Sequence, residues 1–173
     1  MDLILFNFIH SFAEKWSLVD WGSVLVAQYL PYAMGIAAVV FLFRMEPWKV
    51  RVEAFLATAL SLLLARGLLT ELIRFLYDRP RPFVELGFTP LISENSASFP
   101  SGHAAFFFAL SAVIFSVNRT WGWWFLGLSL LNGIARVYAG VHWPSDILAG
   151  AAVGVFSFLA VQKLLKRAPE RAS

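Results

Sequence analysis

From Trp21 to Phe43 the chain carries no Asp, Glu, Lys or Arg, a run of 23 positions. At about 1.5 Å per residue this length crosses a hydrocarbon core of roughly 30 Å with some tilt. A chain with such a run folds around a bilayer. The composition agrees: 59% of the 173 residues are hydrophobic, only 14% are charged, and the mean hydropathy is +0.68. These values exclude a disordered chain and a water-soluble globule. Four further spans are expected after Trp21–Phe43, at about Val52–Tyr77, Ser101–Val117, Trp121–Tyr138 and Ser145–Leu165. The predicted fold is therefore all-α, a five-span helical bundle forming a single membrane-embedded domain over residues 1–173. Cysteine is absent, so neither a disulfide nor a thiol nucleophile enters the argument.

The connections read as turns at Met45-Glu46-Pro47-Trp48 and Asn118-Arg119-Thr120, with a longer proline-containing loop over 77–100. A loop of that length is usually functional or disordered. The first 18 residues place Leu5, Ile9, Phe12 and Trp16 at helical spacing, with Asn7, His10, Ser11, Glu14 and Lys15 opposite. They predict an amphipathic helix lying in the interface, with His10 as an interfacial residue. Asp2 stands where a cleaved leader would begin with bases. Eight of the 14 Lys and Arg fall on one side of this arrangement: Arg44, Lys49, Arg51, Arg119, Lys163, Lys166, Arg167 and Arg171. By the positive-inside rule that side, including a tail over 166–173, is cytoplasmic. The net charge of +3 is thus a topology signal, and no nucleic-acid partner is implied.

Most of the remaining bases gather on the other face. Arg74, Arg79 and Arg81 lie where the second span exits, and Ser101, Gly102 and His103 where the third enters. Arg136 ends the fourth span, and His142 and Asp146 stand at the start of the fifth. Guanidinium groups are planar, permanently charged and bidentate toward phosphate oxygens. Fixed cations lower the barrier for a phosphoryl group whose charge spreads over its equatorial oxygens. One histidine can attack phosphorus and a second can protonate the departing oxygen, while a carboxylate fixes the nucleophile's tautomer. Pro144 suits the first turn of a helix, leaving His142 in the loop and Asp146 within reach of it. Pro100-Ser101-Gly102-His103 opens a helix whose free N–H groups favour an anion, and Gly102 permits close approach.

Arg74-x6-Arg81-Pro82, Pro100-Ser101-Gly102-His103 and Arg136-x5-His142-x3-Asp146, in that order, resemble the three-part signature of the type 2 phosphatidic acid phosphatases. The vanadium haloperoxidases belong to the same superfamily. Two positions depart from the pattern: Arg74 stands where the family usually has lysine, and Ala135 where it usually has serine. Carried over by position, the resemblance implies His142 as nucleophile, Asp146 as its orienting partner and His103 as general acid. It implies Arg74, Arg81 and Arg136 as phosphate-holding groups with Ser101 and Gly102, and no metal or other cofactor. Asp78-Arg79-Pro80-Arg81-Pro82-Phe83 and the small number of spans look most similar to bacterial undecaprenyl-diphosphatases of the bacitracin-resistance type. That branch implies a lipid pyrophosphate substrate, dephosphorylated at the outer face of the cytoplasmic membrane. Other branches act on phosphatidylglycerophosphate, phosphatidate or diacylglycerol pyrophosphate, or transfer the phosphoryl group to lipid A.

Ordinary explanations exist for single residues. Arg79 and Arg81, taken alone, suit bases snorkelling to headgroups, and Arg136 and Asp146 suit the ends of their own helices. A metal site at His142 and Asp146 lacks a third ligand nearby. A flippase or small channel would use the arginines to bind headgroups, but transport requires no nucleophile. The phenylalanines of 106–108 and the tryptophans of 121–124 read as packing, lipid-facing and belt residues. Arg66 fits none of these roles: it lies near the middle of the second span, and Glu71, five residues on, is a poorly placed partner for an α-helix.

Overall fold

The computed structural model describes residues 1–167, and all regular structure among them is helical. The elements are α1 (Asp2–His10), α2 (Ser17–Phe43), α3 (Trp48–Leu76), a short α4 (Pro82–Leu86), α5 (Gly102–Val117), α6 (Arg119–Tyr138) and α7 (Pro144–Arg167). Three of them, α2, α3 and α7, are long and apolar enough to cross a membrane, and α5 is a shorter apolar helix. The protein is a membrane protein. The predicted tail is helical as far as Arg167, and 168–173, with Arg171, lie outside the described residues.

α5 is the central element and packs against α3, α6 and α7. Ala104, Ala105, Phe107, Ala109, Leu110, Val113 and Ile114 are all buried by neighbouring helices. The α5–α7 contact rests on small residues. A Cβ at Gly150 would stand 2.5 Å from the Ser101 carbonyl, and one at Gly154 would stand 2.4 Å from the Ala105 carbonyl. Glycines four apart let two helix backbones approach where lipid supplies no hydrophobic drive. On the other flank, Ser111 of α5 and Ser129 of α6 share a hydrogen bond of 2.9 Å, and the Asn118 side chain accepts from the Trp121 N–H to start α6.

α2 begins at Ser17, four residues ahead of the uncharged run. Asp20 in its first turn suits the positive end of the helix, and its Oδ1 accepts from the Tyr138 hydroxyl at 2.7 Å. Both α2 and α3 widen for one stretch, at Leu25–Tyr29 and Leu63–Leu69, where backbone bonds span five residues instead of four. Pro31 follows the first widening, and in the second the Thr70 hydroxyl donates to the Ala65 carbonyl at 2.8 Å.

The N-terminal helix is shorter than the expected 1–18. α1 ends at His10, and Leu5 and Trp16 of the predicted apolar stripe are 48% and 60% exposed. The face that docks carries Asp2, Phe6 and His10, spaced four apart on successive turns. Asp2 is tied to Ser145 and Arg79, which sets the rotation of the helix. Phe6 is then 1% exposed, with its ring 5.1 Å from that of Trp143, and His10 Nδ1 donates to the Tyr138 carbonyl at 2.7 Å. His10 is thus a packed residue, held beneath the loop that leads into α7.

Candidate active site

The site is assembled where the loop 139–143 turns into α7. Gly140 sits at φ +82°, a left-handed conformation open to glycine, and a Cβ there would strike Phe88 and His10. Pro144 opens α7, and Asp146 reaches back so that its Oδ2 accepts from the Trp143 N–H at 2.8 Å. This is the third-residue arm of a capping arrangement. The same carboxylate accepts from Ser98 Oγ at 2.5 Å and from Arg79 Nη1 at 2.8 Å, and it is 0% exposed. His142 presents Nδ1 to Oδ2 at 3.3 Å. A carboxylate can only accept, so the Nδ1 proton faces Asp146 and the Nε2 lone pair faces away from it. Burial is the largest influence on His142 and pushes its pKa down to about 4; Arg136 and Arg81 add to this, and Asp146 opposes it. The imidazole is neutral at neutral pH.

Nε2 of His142 faces a cluster of cations. Arg81 Nη1 lies 3.4 Å from it and also donates to the Val141 carbonyl at 2.7 Å. The Arg81 side chain is 3% exposed, and burial pushes its pKa down to about 10, with repulsion from Arg136 and Arg74 added and Glu94 opposing. It keeps its charge at neutral pH. Arg74 reaches the Pro100 carbonyl at 3.1 Å and Ser96 Oγ at 3.4 Å. Arg136 is 2% exposed and pairs with Glu94, whose other oxygen stands 3.6 Å from Arg81. Burial alone would raise the Glu94 pKa, but Arg136 and Arg81 hold it below the usual carboxylate range. Buried Nε groups of Arg74 and Arg136 have no acceptor among the described residues. Two buried N–H donors without partners, beside a carboxylate held between guanidiniums, form a cationic cluster of the chemistry that suits an oxyanion.

The start of α5 closes the third side. Ser101 is fully buried, its Oγ accepts from the Ala104 N–H at 3.4 Å, and its own N–H donates to the Asp146 carbonyl at 3.0 Å. The N–H groups of Gly102 and His103 fall in the first turn, where no helical acceptor exists. His103 has Arg136, Glu94, His142 and Arg66 within electrostatic reach. It also lines a cavity of about 610 Å³ with Arg66, Gly102, Phe106 and Phe107, whose far wall comes from α2.

His142, Asp146, His103, Arg74, Arg81, Ser101, Gly102 and Arg136 therefore meet at one end of the bundle. Three readings change. Arg79 does not snorkel: it bridges Asp146 and Asp2 at 2.8 and 2.7 Å and stacks over Trp143. Gly102 makes room for a side chain, because a Cβ there would stand 2.6 Å from Arg66 Nε. Arg66 does pair with Glu71, since the widened stretch of α3 brings residues five apart onto one face. At the departure from the family pattern, Ala135 packs among Ala27, Ile92, Ala139 and Val141, an apolar surround with no call for a hydroxyl. Glu94, Ser96 and Ser98 were not singled out in the sequence, although Glu94 is the sole acidic residue between Glu85 and Asp146. Among the described residues no group of three or more His, Asp or Glu is placed to hold a metal ion.

The chain is similar to several known proteins. Bacitracin transport permease protein BcrC of Bacillus licheniformis is 28% identical over 93% of this chain and 79% of its own length. Undecaprenyl-diphosphatase BcrC of Bacillus subtilis is 30% identical over 96% of this chain and 86% of its own. The crystal structure of Aquifex aeolicus LpxE superposes with a TM-score of 0.78 at 26% identity, covering 94% of each chain. The model of the PAP2 superfamily matches residues 54–169, a stretch that holds every arginine, histidine and carboxylate facing the pocket, and the chain belongs to that family of membrane lipid phosphatases.

Proposed function

We propose that the protein hydrolyses the terminal phosphate of a lipid pyrophosphate, undecaprenyl pyrophosphate foremost, by way of a phosphohistidine. The observation that carries this reading is His142: Nδ1 held on Asp146, Nε2 3.4 Å from Arg81 Nη1, and Arg136 within electrostatic reach. In the first step Nε2 attacks the terminal phosphorus and the bond to the bridging oxygen breaks. His103 gives that oxygen its proton, and the lipid monophosphate departs. A water molecule then attacks the phosphohistidine, His103 takes its proton, and inorganic phosphate leaves with His142 restored. Arg74, Arg81 and Arg136, with Ser101 and the N–H groups of Gly102 and His103, carry the charge of the equatorial oxygens. The low pKa of His142 keeps the attacking nitrogen unprotonated, and Asp146 stabilises the cation formed when it bonds to phosphorus.

The relative from Bacillus subtilis supports the choice of lipid. For topology, α2, α3, α5, α6 and α7 supply five spans, with α1 against the outer face. Arg44, Lys49, Arg51 and Arg119 lie at turns away from the site, so the site faces outside the cytoplasmic membrane. The name of the Bacillus licheniformis relative favours transport as the second reading.

The test is phosphate release by purified protein in detergent micelles with EDTA, using undecaprenyl pyrophosphate, phosphatidylglycerophosphate and phosphatidate in parallel. The pyrophosphate is expected to be cleaved fastest, and His142→Ala and His103→Ala to stay folded but release no phosphate. Normal activity in either variant defeats the roles. Lipid movement in vesicles without phosphate release in micelles establishes transport instead.

A further inference from the structure

Arg66 is a charged residue inside a membrane-crossing helix, where a charge is expensive and marks function or pairing. Its pairing with Glu71 is solvent- or lipid-accessible on both sides, at 42% and 53% exposure, so that bond alone does not repay desolvation. The guanidinium lies over Gly102, where even a methyl group would collide with it. It lines a cavity together with His103, Pro31, Tyr32, Ile36 and Phe106. Arg66 and His103 are thus the charged and titratable groups of a cavity whose other lining is mostly apolar.

We infer that Arg66 binds the inner, lipid-bound phosphate of a pyrophosphate substrate and so selects diphosphates over monophosphates. This rests on the reading of His142 and His103 given above. If His103 protonates the departing oxygen, the leaving group lies on the His103 side of the pocket and its tail follows the apolar lining. A lipid monophosphate releases an alcohol there, which is neutral once protonated and gains nothing from a cation. A lipid pyrophosphate releases a phosphate monoester, which remains anionic after the proton arrives. A bidentate guanidinium at that point stabilises only the second leaving group. The widened turn of α3 is what aims Arg66 at Gly102 while Glu71 holds its other edge.

The experiment compares kcat/KM on farnesyl pyrophosphate and farnesyl phosphate, which differ by one phosphate, in wild type and Arg66→Gln. Competitive inhibition by methylenebisphosphonate and by orthophosphate gives an independent binding readout. Arg66→Gln is expected to lower the pyrophosphate-to-monophosphate ratio about tenfold or more, and to weaken bisphosphonate inhibition by a similar factor relative to orthophosphate. Should that variant not fold, Arg66→Lys keeps the charge, gives up the fork, and is expected to lower the same ratio by less. The double variant Arg66→Gln with Glu71→Gln separates binding from charge balance: the lost preference is expected to stay lost, and its recovery would show that Arg66 only neutralises Glu71. An unchanged ratio in a wild type that prefers the pyrophosphate overturns this inference and leaves the proposed function standing. A wild type that cleaves the monophosphate and ignores the pyrophosphate overturns both.

Discussion

The two ends of the bundle are built from different kinds of bond. At the turn between α2 and α3, Arg51 bonds to Glu46 and to the Met45 carbonyl, partners five and six residues away, and the Glu46 side chain is 76% exposed. At the site end, Arg79 joins residues 77 and 67 positions distant, and the Ser145 N–H bonds to Asp2 across 143 positions. Arg81, Arg136, His142 and Asp146 are almost wholly buried there. Local, solvated bonds add little to stability and suffice to mark which end is which. Long-range buried bonds hold each other in place, because removing one partner strands another charge away from water.

That contrast can be broken in order of severity. Asp146→Asn keeps the shape of the side chain but loses the negative charge and one of the two acceptor oxygens that orient Nδ1 of His142. kcat/KM is expected to fall on the order of a thousandfold with helix content unchanged, and a fall below tenfold would remove Asp146 from its role. Arg79→Ala leaves the buried Asp146 and the half-buried Asp2 each short of a cation. Thermal or denaturant unfolding in detergent is expected to show a loss of about 3 kcal/mol, with α1 released first, seen as faster hydrogen exchange at Phe6 and His10. Arg51→Ala cuts an ion pair of similar length at the opposite end and is expected to cost less than about 1 kcal/mol by the same measurement. Equal losses at Arg79 and Arg51 would erase the distinction between the two ends.

Much of the fold was legible because a bilayer demands long uncharged helices, and those are visible residue by residue: Trp21–Phe43 falls within α2, and Ser101 stands one residue ahead of α5. The site was legible in outline for a different reason. Its arginines, histidines and Asp146 are rare in an apolar chain and fall at the ends of spans, so topology alone groups them. Glu94 and Ser98 escaped notice because they sit in an irregular loop with no periodicity to say where they point. Asp2, Phe6 and His10 escaped because the more conspicuous stripe of Leu5, Ile9, Phe12 and Trp16 suggested lipid as the partner, whereas the docking face answers to Trp143 and Ser145.

The amino-acid order by itself determined that the chain is helical and that it lives in a membrane. Both follow from hydropathy and charge that act along the chain, and the same reading grouped the candidate site residues at the ends of the spans. Only the tertiary structure decided that Glu94 sits between Arg81 and Arg136, that Asp2 braces the start of α7, and that Arg66 lies over Gly102 beside His103. Those contacts join residues with no local relation, and they form where helix packing brings buried charged groups within reach of one another.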